Sequence, residues 1–307
     1  MNIKKPKFWD LKHPNIYAYL LLPLSLSIRF FNIFKKNISK KNKIKTICVG
    51  NIYIGGTGKT SLCIKLNQIL NKKKVRSCFV KKFYKNQLDE QKILTKNGRL
   101  FTSTTRTEAI KKAEDENYEI AIFDDGLQDK SINYDISFVC FNTINWIGNG
   151  MTIPSGPLRE NIINLKKYEN VFLNGNLENI DIIKKEIYKI NSKINIYFGK
   201  YEPLNLNEFN KENNYLIFSG IGNHKTFLNM LKDYGLNILK DLEFPDHYNY
   251  TKNDLKKIFD KANNLNCEII TTEKDFVRLK GENKYQIKYI KSELKIIDEE
   301  KLIKSIL

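Results

Sequence analysis

A glycine-rich turn that joins a short apolar run to a helical stretch constrains this chain more than any other feature. The run Lys45–Gly50 (KTICVG) predicts a buried strand, and the stretch from Lys59 to Asn71 predicts a helix. The turn between them contains Gly55-Gly56-Thr57-Gly58. Glycines let successive backbone N–H groups converge on phosphate oxygens, and the dipole at the helix start adds a favourable field. The pattern therefore predicts a phosphate-binding loop.

The residues that open this helix carry the chemistry of such a loop. Lys59 can reach the β- and γ-phosphates of a nucleoside triphosphate, and the Thr60 hydroxyl can bind Mg²⁺. The full pattern G-x-x-x-x-G-K-[ST] is not met, because Tyr53 stands at the first glycine position. The strand–turn–helix context still favours nucleotide binding over a glycine-rich turn without a ligand. The predicted nucleotide-binding residues of the loop are Gly55, Gly56, Thr57, Gly58, Lys59 and Thr60.

A second signal is an apolar run that ends in two acids, Ile120–Phe123 followed by Asp124, Asp125 and Gly126. A carboxylate at the end of a buried strand is what a nucleotide-dependent enzyme needs to hold the hydration shell of Mg²⁺. Adjacent residues of a strand point to opposite faces, so both acids can serve one site only because the strand ends there and Gly126 allows a turn. The alternative is a pair of acids that merely marks a turn.

Short apolar runs alternate with helical stretches along the rest of the chain. Further strand-like runs are Val75–Val80, Asp135–Phe141, Asn170–Asn174 and Ile194–Phe198. This alternation predicts an α/β fold with a mostly parallel sheet covered by helices. The polar stretch Tyr201–Asn214 indicates a linker, after which a second, smaller α/β lobe begins. The predicted domains are therefore residues 1–40, 41–204 and 205–307.

Residues 1–40 contain an apolar segment, Pro14–Phe34, that only Pro23 and the charge of Arg29 interrupt. No small-residue cleavage site follows it, and its uninterrupted part, Ile16–Ile28, is short for a spanning helix, which needs about 20 residues. Lysines flank the segment on both sides: Lys4, Lys5, Lys7, Lys12, Lys35, Lys36, Lys40 and Lys41. We predict a helix that lies at the inner surface of a bilayer with its lysines on anionic headgroups. The alternative is an ordinary buried helix.

Composition sets wider limits. The 307 residues are 41% hydrophobic, enough for a sizeable core, and the formal net charge is +18. That charge favours polyanionic partners such as nucleic acid, an anionic membrane or a phosphorylated substrate, although a general bias towards Lys, Asn and Ile explains it equally well. The five cysteines are scattered without a C-x-x-C pair. This pattern predicts free, mostly buried thiols in a reducing compartment, the cytosol.

A series of motifs, in order over nearly the whole chain, resembles the tetraacyldisaccharide 4'-kinase family, the lipid A precursor kinases. The motifs are VGNIYIGGTGKT, FDDGLQD (Phe123–Asp129), IPSGPLRE (Ile153–Glu160), FSGIGN (Phe218–Asn223), FPDHY (Phe244–Tyr248) and TTEKDFVRL (Thr271–Leu279). A phosphate loop alone occurs in many unrelated enzymes, whereas this ordered set is far more specific.

The resemblance implies a two-lobed, P-loop NTPase-like α/β enzyme that uses ATP and Mg²⁺. It implies transfer of the γ-phosphate to the 4'-hydroxyl of a tetraacyldisaccharide 1-phosphate, which gives lipid IVA. It also implies work at the cytoplasmic face of the bacterial inner membrane, in agreement with the lysine-flanked apolar segment. We expect a lipid disaccharide phosphate and an anionic membrane surface as partners, and neither nucleic acid nor an obligate protein partner.

The family places a catalytic base and a histidine partner in different lobes. Asp89, in Leu88-Asp89-Glu90-Gln91, aligns with the base, although by itself it resembles a solvated loop acid. His247, in FPDHY, aligns with the partner that would orient and polarise Asp89 when the lobes close. Together with Lys59 and Asp125, these are the predicted catalytic residues.

Further site residues follow from the same resemblance. It implies that Arg159 faces phosphate and that Glu160 lies on the Mg²⁺ side, with a surface salt bridge between the two as the alternative. The predicted metal ligands are therefore Thr60, Asp124, Asp125 and Glu160. Arg106 aligns with an arginine that touches substrate phosphate, and the charged residues of TTEKD either position the cleft or cap a turn.

Two departures from the family fall on the substrate side. Lys81-Lys82-Phe83-Tyr84 stands where the family usually has S-R-G-Y, so Lys82 keeps a positive charge but lacks the bidentate geometry of arginine. Asp129 replaces the histidine that ends the family's DDG[FL]QH motif. Neither change removes a predicted ATP or Mg²⁺ ligand.

Two other classes of function compete with a kinase. A nucleic-acid-dependent ATPase would need aromatic platforms in a basic groove and helicase-type motifs, and we find none in the sequence. A regulatory nucleotide switch that catalyses little would not need the pair Asp89 and His247, which is directed at a hydroxyl acceptor. The kinase interpretation is therefore preferred.

Overall fold

The computed structural model describes residues 5–33, 42–175, 178 and 180–307 of the chain. The chain forms two compact units. The first unit comprises Lys5–Gly199 and Ile296–Leu307, and the second comprises Lys200–Lys295. This division differs from the predicted boundaries at both ends, because residues 5–33 and 296–307 lie in the first unit.

Strands and helices alternate through most of both units. The strands are β1 (Lys45–Gly50), β2 (Ser77–Lys82), β3 (Leu100–Ser103), β4 (Ile120–Asp124), β5 (Ile136–Asn142), β6 (Asn170–Asn174), β7 (Asn195–Pro203), β8 (Asn214–Ser219), β9 (Asn237–Glu243), β10 (Glu268–Thr272), β11 (Ile287–Ile290) and β12 (Ser292–Ile296). The α-helices are α1 (Ile16–Leu20), α2 (Leu22–Ile33), α3 (Lys59–Lys72), α4 (Leu88–Asn97), α5 (Arg106–Asp115), α6 (Ile180–Ile190), α7 (His224–Asp233), α8 (Lys252–Asn264), α9 (Glu273–Phe276) and α10 (Glu299–Ile306). Short 3₁₀ helices cover Lys7–Asp10, Lys85–Gln87, Ile162–Lys167, Leu206–Glu208 and Glu282–Gln286.

The strands form two sheets. An eight-stranded sheet has the order β12-β7-β6-β5-β1-β4-β2-β3, and a four-stranded sheet has the order β11-β10-β8-β9. All neighbours from β7 to β3, and all neighbours in the smaller sheet, pair in parallel. The predicted α/β fold with a mostly parallel sheet is confirmed. Because β1, β4 and β2 are adjacent and parallel, their carboxyl ends meet at one edge, where α/β proteins bind ligands.

The hydrophobic core lies on both faces of each sheet. In β8, for example, Tyr215 and Ile217 pack into one hydrophobic cluster, and Leu216 and Phe218 pack into another. This arrangement is the alternation of side chains that a strand imposes. All five cysteines are free, as predicted, and all except Cys267 are buried.

The N-terminal helices turn small residues towards the first unit and large apolar residues towards solvent. Ala18 and Ser25 are buried, whereas Ile16 and Leu20 of α1 and Leu24 of α2 are 66%, 69% and 53% exposed. The alternative of an ordinary buried helix is therefore wrong for this segment. Among the described residues, no helix is both long enough and apolar enough to cross a bilayer.

The helix α4 occupies a stretch that the sequence left unassigned. A 3₁₀ turn leads into it, and Asp89 lies in its first turn. Asp89 is thus a helical residue rather than a loop acid. At the other end of the chain, α10 lies in the first unit, where the Nζ of Lys65 in α3 is 3.8 Å from a carboxylate oxygen of Glu299.

Candidate functional site

The phosphate-binding loop connects β1 to α3 at the carboxyl edge of the larger sheet. Gly58 immediately precedes the helix with a φ of 78°, a left-handed conformation that favours glycine. Lys59 and Thr60 are the first residues of α3. The predicted strand–turn–helix arrangement is therefore present, and it directs the helix N-terminus at the space above the sheet edge.

Two asparagines hold this loop, and sequence reasoning assigned neither of them a role. The Asn51 side chain donates from Nδ2 to the Thr57 hydroxyl over 2.9 Å. Asn174, at the end of β6, donates from Nδ2 to the Thr57 carbonyl. Both asparagines are buried. A polar residue at the end of a buried parallel strand was the available signal, the same one that identified Asp124.

Asp124 ends β4 beside the loop and is fully buried. One oxygen, Oδ2, accepts hydrogen bonds from the Thr60 hydroxyl at 3.2 Å and from the Lys81 ammonium at 2.7 Å. The other oxygen, Oδ1, is buried and has no hydrogen-bond partner among the described residues. A buried carboxylate oxygen without a partner is costly, and here it lies next to a hydroxyl of the phosphate loop.

This donor set fits Mg²⁺. Mg²⁺ prefers hard oxygen ligands and is usually held by one or two carboxylates together with substrate phosphates and water. Asp124 supplies a carboxylate at the end of β4, and Thr60 supplies a hydroxyl at the start of α3. The Oδ1 of Asp124, which has no partner among the described residues, is available to the hydration shell of the ion. No cluster of three or more His, Cys, Asp or Glu side chains suited to a metal occurs in the described ranges.

Asp125 forms the turn after β4. Its φ is 62°, in the left-handed region that aspartate tolerates better than most residues. The turn therefore lies one residue before Gly126, which was expected to provide it. Gly126 is required for a different reason: a Cβ there would lie 2.5 Å from the Tyr134 hydroxyl oxygen.

The Asp125 carboxylate faces two cations. Its Oδ1 accepts from the Arg159 guanidinium over 2.8 Å. Burial alone would raise the pKa of Asp125, but the charges of Lys59 and Arg159 outweigh burial and hold that pKa below its ordinary value. Asp125 is therefore ionised at neutral pH, and it places Arg159 next to the phosphate loop.

Glu160 has a separate environment. Its carboxylate accepts hydrogen bonds from the side chains of Gln128 at 3.1 Å, Tyr168 at 3.0 Å and Asn164 at 2.8 Å. The ion pair of Arg159 is with Asp125, which disfavours the alternative of a surface salt bridge between Arg159 and Glu160. The metal role of Glu160 stays a prediction.

Lys81, at the end of β2, is the buried cation of the site. Its side chain is 2% exposed, and its Nζ lies 2.6 Å from Glu90 Oε2 and 2.7 Å from Asp124 Oδ2. Burial alone would lower the pKa of Lys81, but the two carboxylates outweigh it and raise that pKa above its ordinary value. The neighbouring Lys82, which aligns with the family arginine, instead places its ammonium over the Tyr84 ring at 5.7 Å from its centroid.

Arg106 lies buried beside the turn after β4. Its side chain is 8% exposed, forms an ion pair with Asp129 at 2.9 Å and donates to the Asp125 carbonyl. These contacts hold the turn, and the expected contact of Arg106 with a substrate phosphate stays a prediction. Asp129, the departure from the family histidine, supplies the anion for this pair.

His247, in the second unit, lies in a turn held by a buried network. It has a φ of 59°, and its backbone N–H donates to the Gly220 carbonyl over 3.1 Å. Arg278 Nη2 lies 3.3 Å from His247 Nδ1. Because a guanidinium can only donate, Nδ1 is the acceptor in this contact. The neutral imidazole then carries its proton on Nε2.

The TTEKD motif supports this turn. Asp275 is fully buried and accepts from the Gly220 N–H, the Tyr250 hydroxyl and Arg278, each within 3.2 Å. Thr272 caps α9, because its hydroxyl accepts from the Asp275 N–H over 3.0 Å and donates to the Asp275 carboxylate over 2.7 Å. The motif therefore both caps a helix, through Thr272, and supports the turn of His247, through Asp275.

The first unit therefore brings together most of the predicted site. Thr60, Asp124, Asp125 and Arg159 are linked to one another or to the loop by the contacts above, with Lys59 at the same helix start. Asp89 lies in the first unit, and its neighbour Glu90 reaches the same cluster through Lys81. His247 belongs to the second unit. The pairing of Asp89 with His247 stays a prediction.

Comparisons with known proteins agree on one family. The family model described as "Tetraacyldisaccharide-1-P 4'-kinase" matches residues 17–307. The chain is 59% identical over 303 residues to the tetraacyldisaccharide 4'-kinase of Pelagibacter ubique (strain HTCC1062), an alignment that covers 98% of this chain and 96% of that relative. It is 35% identical over 295 residues to the protein of the same name from Rickettsia canadensis (strain McKiel), covering 89% and 87% of the two chains.

A solved structure shares the fold. The crystal structure described as the "apo" form of LpxK from Aquifex aeolicus in complex with ATP matches with a TM-score of 0.67. The match covers 94% of this chain and 98% of that one, at 23% sequence identity. The two proteins therefore have the same architecture along nearly their whole length.

Proposed function

The chain belongs to the tetraacyldisaccharide-1-P 4'-kinase family, and on that premise we propose that it transfers the γ-phosphate of ATP to the 4'-hydroxyl of a tetraacyldisaccharide 1-phosphate. The product is lipid IVA, an intermediate of lipid A biosynthesis. The family resemblance predicted from the ordered motifs is confirmed by the family match and by the relatives. The enzyme is thus a phosphotransferase with an alcohol acceptor.

One observation in the structure carries the proposal. The Thr60 hydroxyl at the start of α3 lies 3.2 Å from Asp124, whose second carboxylate oxygen is buried and without a partner among the described residues. A nucleotide-dependent phosphotransferase needs this combination of a helix N-terminus, a hydroxyl and an ionisable carboxylate around its metal–triphosphate. A glycine-rich turn without a ligand has no use for the buried, unsatisfied oxygen.

The other residues of the site would bind or neutralise the phosphates. Mg²⁺, held by Thr60 and Asp124, would neutralise charge on the β- and γ-phosphates. Lys59 places a further positive charge at the helix start. Arg159, fixed by Asp125 at 2.8 Å, points a guanidinium at the same region, and a guanidinium suits phosphate because its donors are planar and bidentate.

Asp89 and His247 are assigned to the acceptor. Asp89 would receive the proton of the 4'-hydroxyl as phosphate transfer proceeds. With Nδ1 of His247 accepting from Arg278, Nε2 is the ring nitrogen that carries the proton and would donate it to the Asp89 carboxylate. This assignment follows the family motifs, and the network around His247 supports it because it holds the ring in one tautomer.

The anionic inner surface of the bacterial membrane is the proposed place of action. The support is the outward face of α1 and α2, where Ile16, Leu20 and Leu24 are each more than half exposed. An apolar surface of this kind on a soluble unit indicates contact with an apolar partner. Lipid is the occupant we assign, because lysines flank the segment in the sequence and the substrate is itself lipid-dissolved.

The function is tested by following radiolabelled γ-phosphate with three additions: lipid disaccharide phosphate, nucleic acid, and neither. We expect transfer to the lipid only, and Lys59→Ala should lower that turnover by about a hundredfold or more because it removes a charge that balances the transferring phosphate. Lys72→Ala, at the exposed end of the same helix, is the matched control and should keep wild-type turnover. Stimulation of ATP consumption by DNA or RNA, without lipid phosphorylation, would overturn the proposal.

A further inference from the structure

We propose that Lys81 is a positioning residue that ties the metal-side carboxylate Asp124 to the helix that carries Asp89. The proposal rests on the proposed function and adds a residue that the family motifs do not assign. It depends on two contacts of one buried ammonium group, to Asp124 and to Glu90, both of which are shorter than 3 Å.

The topology explains why a lysine from β2 can reach Asp124. The strands β2 and β4 are parallel neighbours, with Val80 opposite Phe123 in the register. The next residue of each strand, Lys81 and Asp124, therefore lies at the same edge of the sheet. The Lys81 side chain is 2% exposed and that of Asp124 is fully buried, so the ion pair is removed from solvent. A buried charge is retained only with a partner, and this one has two.

The contact with Asp124 fixes the orientation of that carboxylate. Lys81 and Thr60 both donate to Oδ2, at 2.7 and 3.2 Å. Two donors on one oxygen, approaching from different elements, hold the carboxylate plane and leave Oδ1 as the oxygen that faces a metal. Without Lys81, the carboxylate would keep only the weaker hydroxyl contact and could rotate.

The contact with Glu90 acts on the acceptor side. Glu90 and Asp89 are consecutive residues of the first turn of α4. An ion pair of 2.6 Å between Lys81 and Glu90 holds that turn against the sheet edge. Because the position of a helix turn determines where its side chains start, the same ion pair determines where Asp89 is presented. Lys81 thus connects the phosphate side and the acceptor side of one reaction.

The two contacts predict separable effects. Wild-type protein should bind ADP and ATP more tightly with Mg²⁺ than without it, and Lys81→Met should reduce this gain in affinity. Metal-free nucleotide should bind Lys81→Met with wild-type affinity. Calorimetry with ADP and ATP, with and without Mg²⁺, measures both affinities. Glu90→Gln should keep the Mg²⁺ gain, because Lys81 still holds Asp124. It should lower kcat for lipid phosphorylation on the order of tenfold to a hundredfold, with KM for MgATP unchanged, since Asp89 is misplaced.

Controls separate positioning from general stability. Lys92→Met makes the same change at an exposed position of α4 and should match the wild type in every measurement. Lys81→Arg, which keeps the charge but changes its reach, should fall between the wild type and Lys81→Met, and it replaces Lys81→Met if that variant does not fold. An equal loss of affinity for metal-free and Mg²⁺-bound nucleotide, or wild-type Mg²⁺ gain in Lys81→Met, would refute the proposal. The binding measurements test the contact between Lys81 and Asp124 even if lipid is not the phosphate acceptor.

Discussion

At the scale of single residues, the pair Arg106 and Asp129 shows how a family position can change without loss of the site. The guanidinium is almost fully buried and bonds both Asp129 and the backbone of Asp125. Asp129 also accepts two hydrogen bonds from Ser131. The acid that replaces the family histidine thus anchors an arginine under the turn that presents Asp125.

Replacing Asp129 with Asn tests this role. The variant leaves Arg106 buried without its anion, and we expect the free energy of unfolding at neutral pH to fall by about 2 kcal/mol, less than for a fully enclosed pair because Asp129 is partly exposed. Chemical denaturation monitored by circular dichroism measures the loss. Glu116→Gln, which breaks the exposed pair with Arg99, is the matched control and should leave the midpoint nearly unchanged. An equal midpoint for Asp129→Asn and the wild type would contradict the role.

The same pair gives a pH dependence with a defined sign. Burial alone would raise the pKa of Asp129, but the hydrogen bonds from Ser131 and the charge of Arg106 lower it. A carboxyl with a lowered folded-state pKa stabilises the fold fully above its unfolded pKa of about 3.9, and this contribution is lost as the pH falls through the folded value. The difference in stability between wild type and Asp129→Asn should therefore be constant near neutrality and shrink below pH of about 4.

At the scale of elements, the sequence predicted best the strands that are buried on both faces. β1, β4 and β6 are short, mostly apolar and buried runs, as central parallel strands usually are. β9 was not predicted because most of its side chains are exposed and it lies at the sheet edge. α4 was not predicted because only Gln91 and Leu94 are buried in it, too few for a recognisable apolar stripe.

The short helix α9 and the turn that contains His247 are connected by Arg278, which follows α9 and contacts the His247 ring. Arg278→Gln should leave ATP binding unchanged and lower kcat for lipid phosphorylation by about tenfold, because the imidazole loses the donor that holds its tautomer and Asp275, which supports the same turn, loses a cation. Steady-state kinetics with lipid disaccharide phosphate, together with a separate nucleotide titration, measure both effects. Lys280→Gln, an exposed change nearby in the chain, is the control. If Arg278→Gln weakened ATP binding as strongly as it lowered turnover, the restriction of its effect to the turn of His247 would be wrong.

The candidate site shows the same limit of sequence reasoning. The phosphate loop and Asp124 were predictable because each lies in a local pattern. The role of Lys81 depends on which strands are neighbours in the sheet, and no local pattern records that order. The ion pair of Arg106 with Asp129 was not predictable for a related reason, since it arises only after β4 and α5 have packed.

At the scale of the whole molecule, the N-terminal helices are attached to the first unit by small and polar contacts. Ser25 donates to the Thr152 carbonyl over 3.0 Å and lies 2.8 Å from the Ser155 hydroxyl. Trp9 donates from its indole to the Pro154 carbonyl over 3.0 Å. The large apolar side chains of α1 and α2 consequently face outward, which is the reverse of the usual arrangement in an amphipathic surface helix and the orientation that the proposed lipid contact requires.

The proposed lipid contact predicts a change in binding without a change in stability. Replacing Leu20 and Leu24 with Ser should leave the unfolding midpoint nearly unchanged, because both side chains are already exposed. Sedimentation with anionic vesicles should show membrane binding reduced by more than about tenfold, since each side chain would contribute roughly 1.5 to 3 kcal/mol on burial. Val277→Ser, at a 75% exposed apolar position of the second unit, is the control. Unchanged sedimentation of the double variant would exclude this face as the lipid contact.

Tyr53, the residue that departs from the usual phosphate-loop glycine, has a consequence for how this protein is handled. Its hydroxyl donates to Asp10 over 2.8 Å and accepts from Lys5, so the nucleotide loop is hydrogen-bonded to residues that precede α1 and α2. A shortened chain prepared for convenience in solution, without its first thirty or so residues, would therefore lose two supports of the loop together with the proposed lipid contact. Nucleotide affinities measured on such a chain would describe a loop that lacks the hydrogen bonds to Lys5 and Asp10.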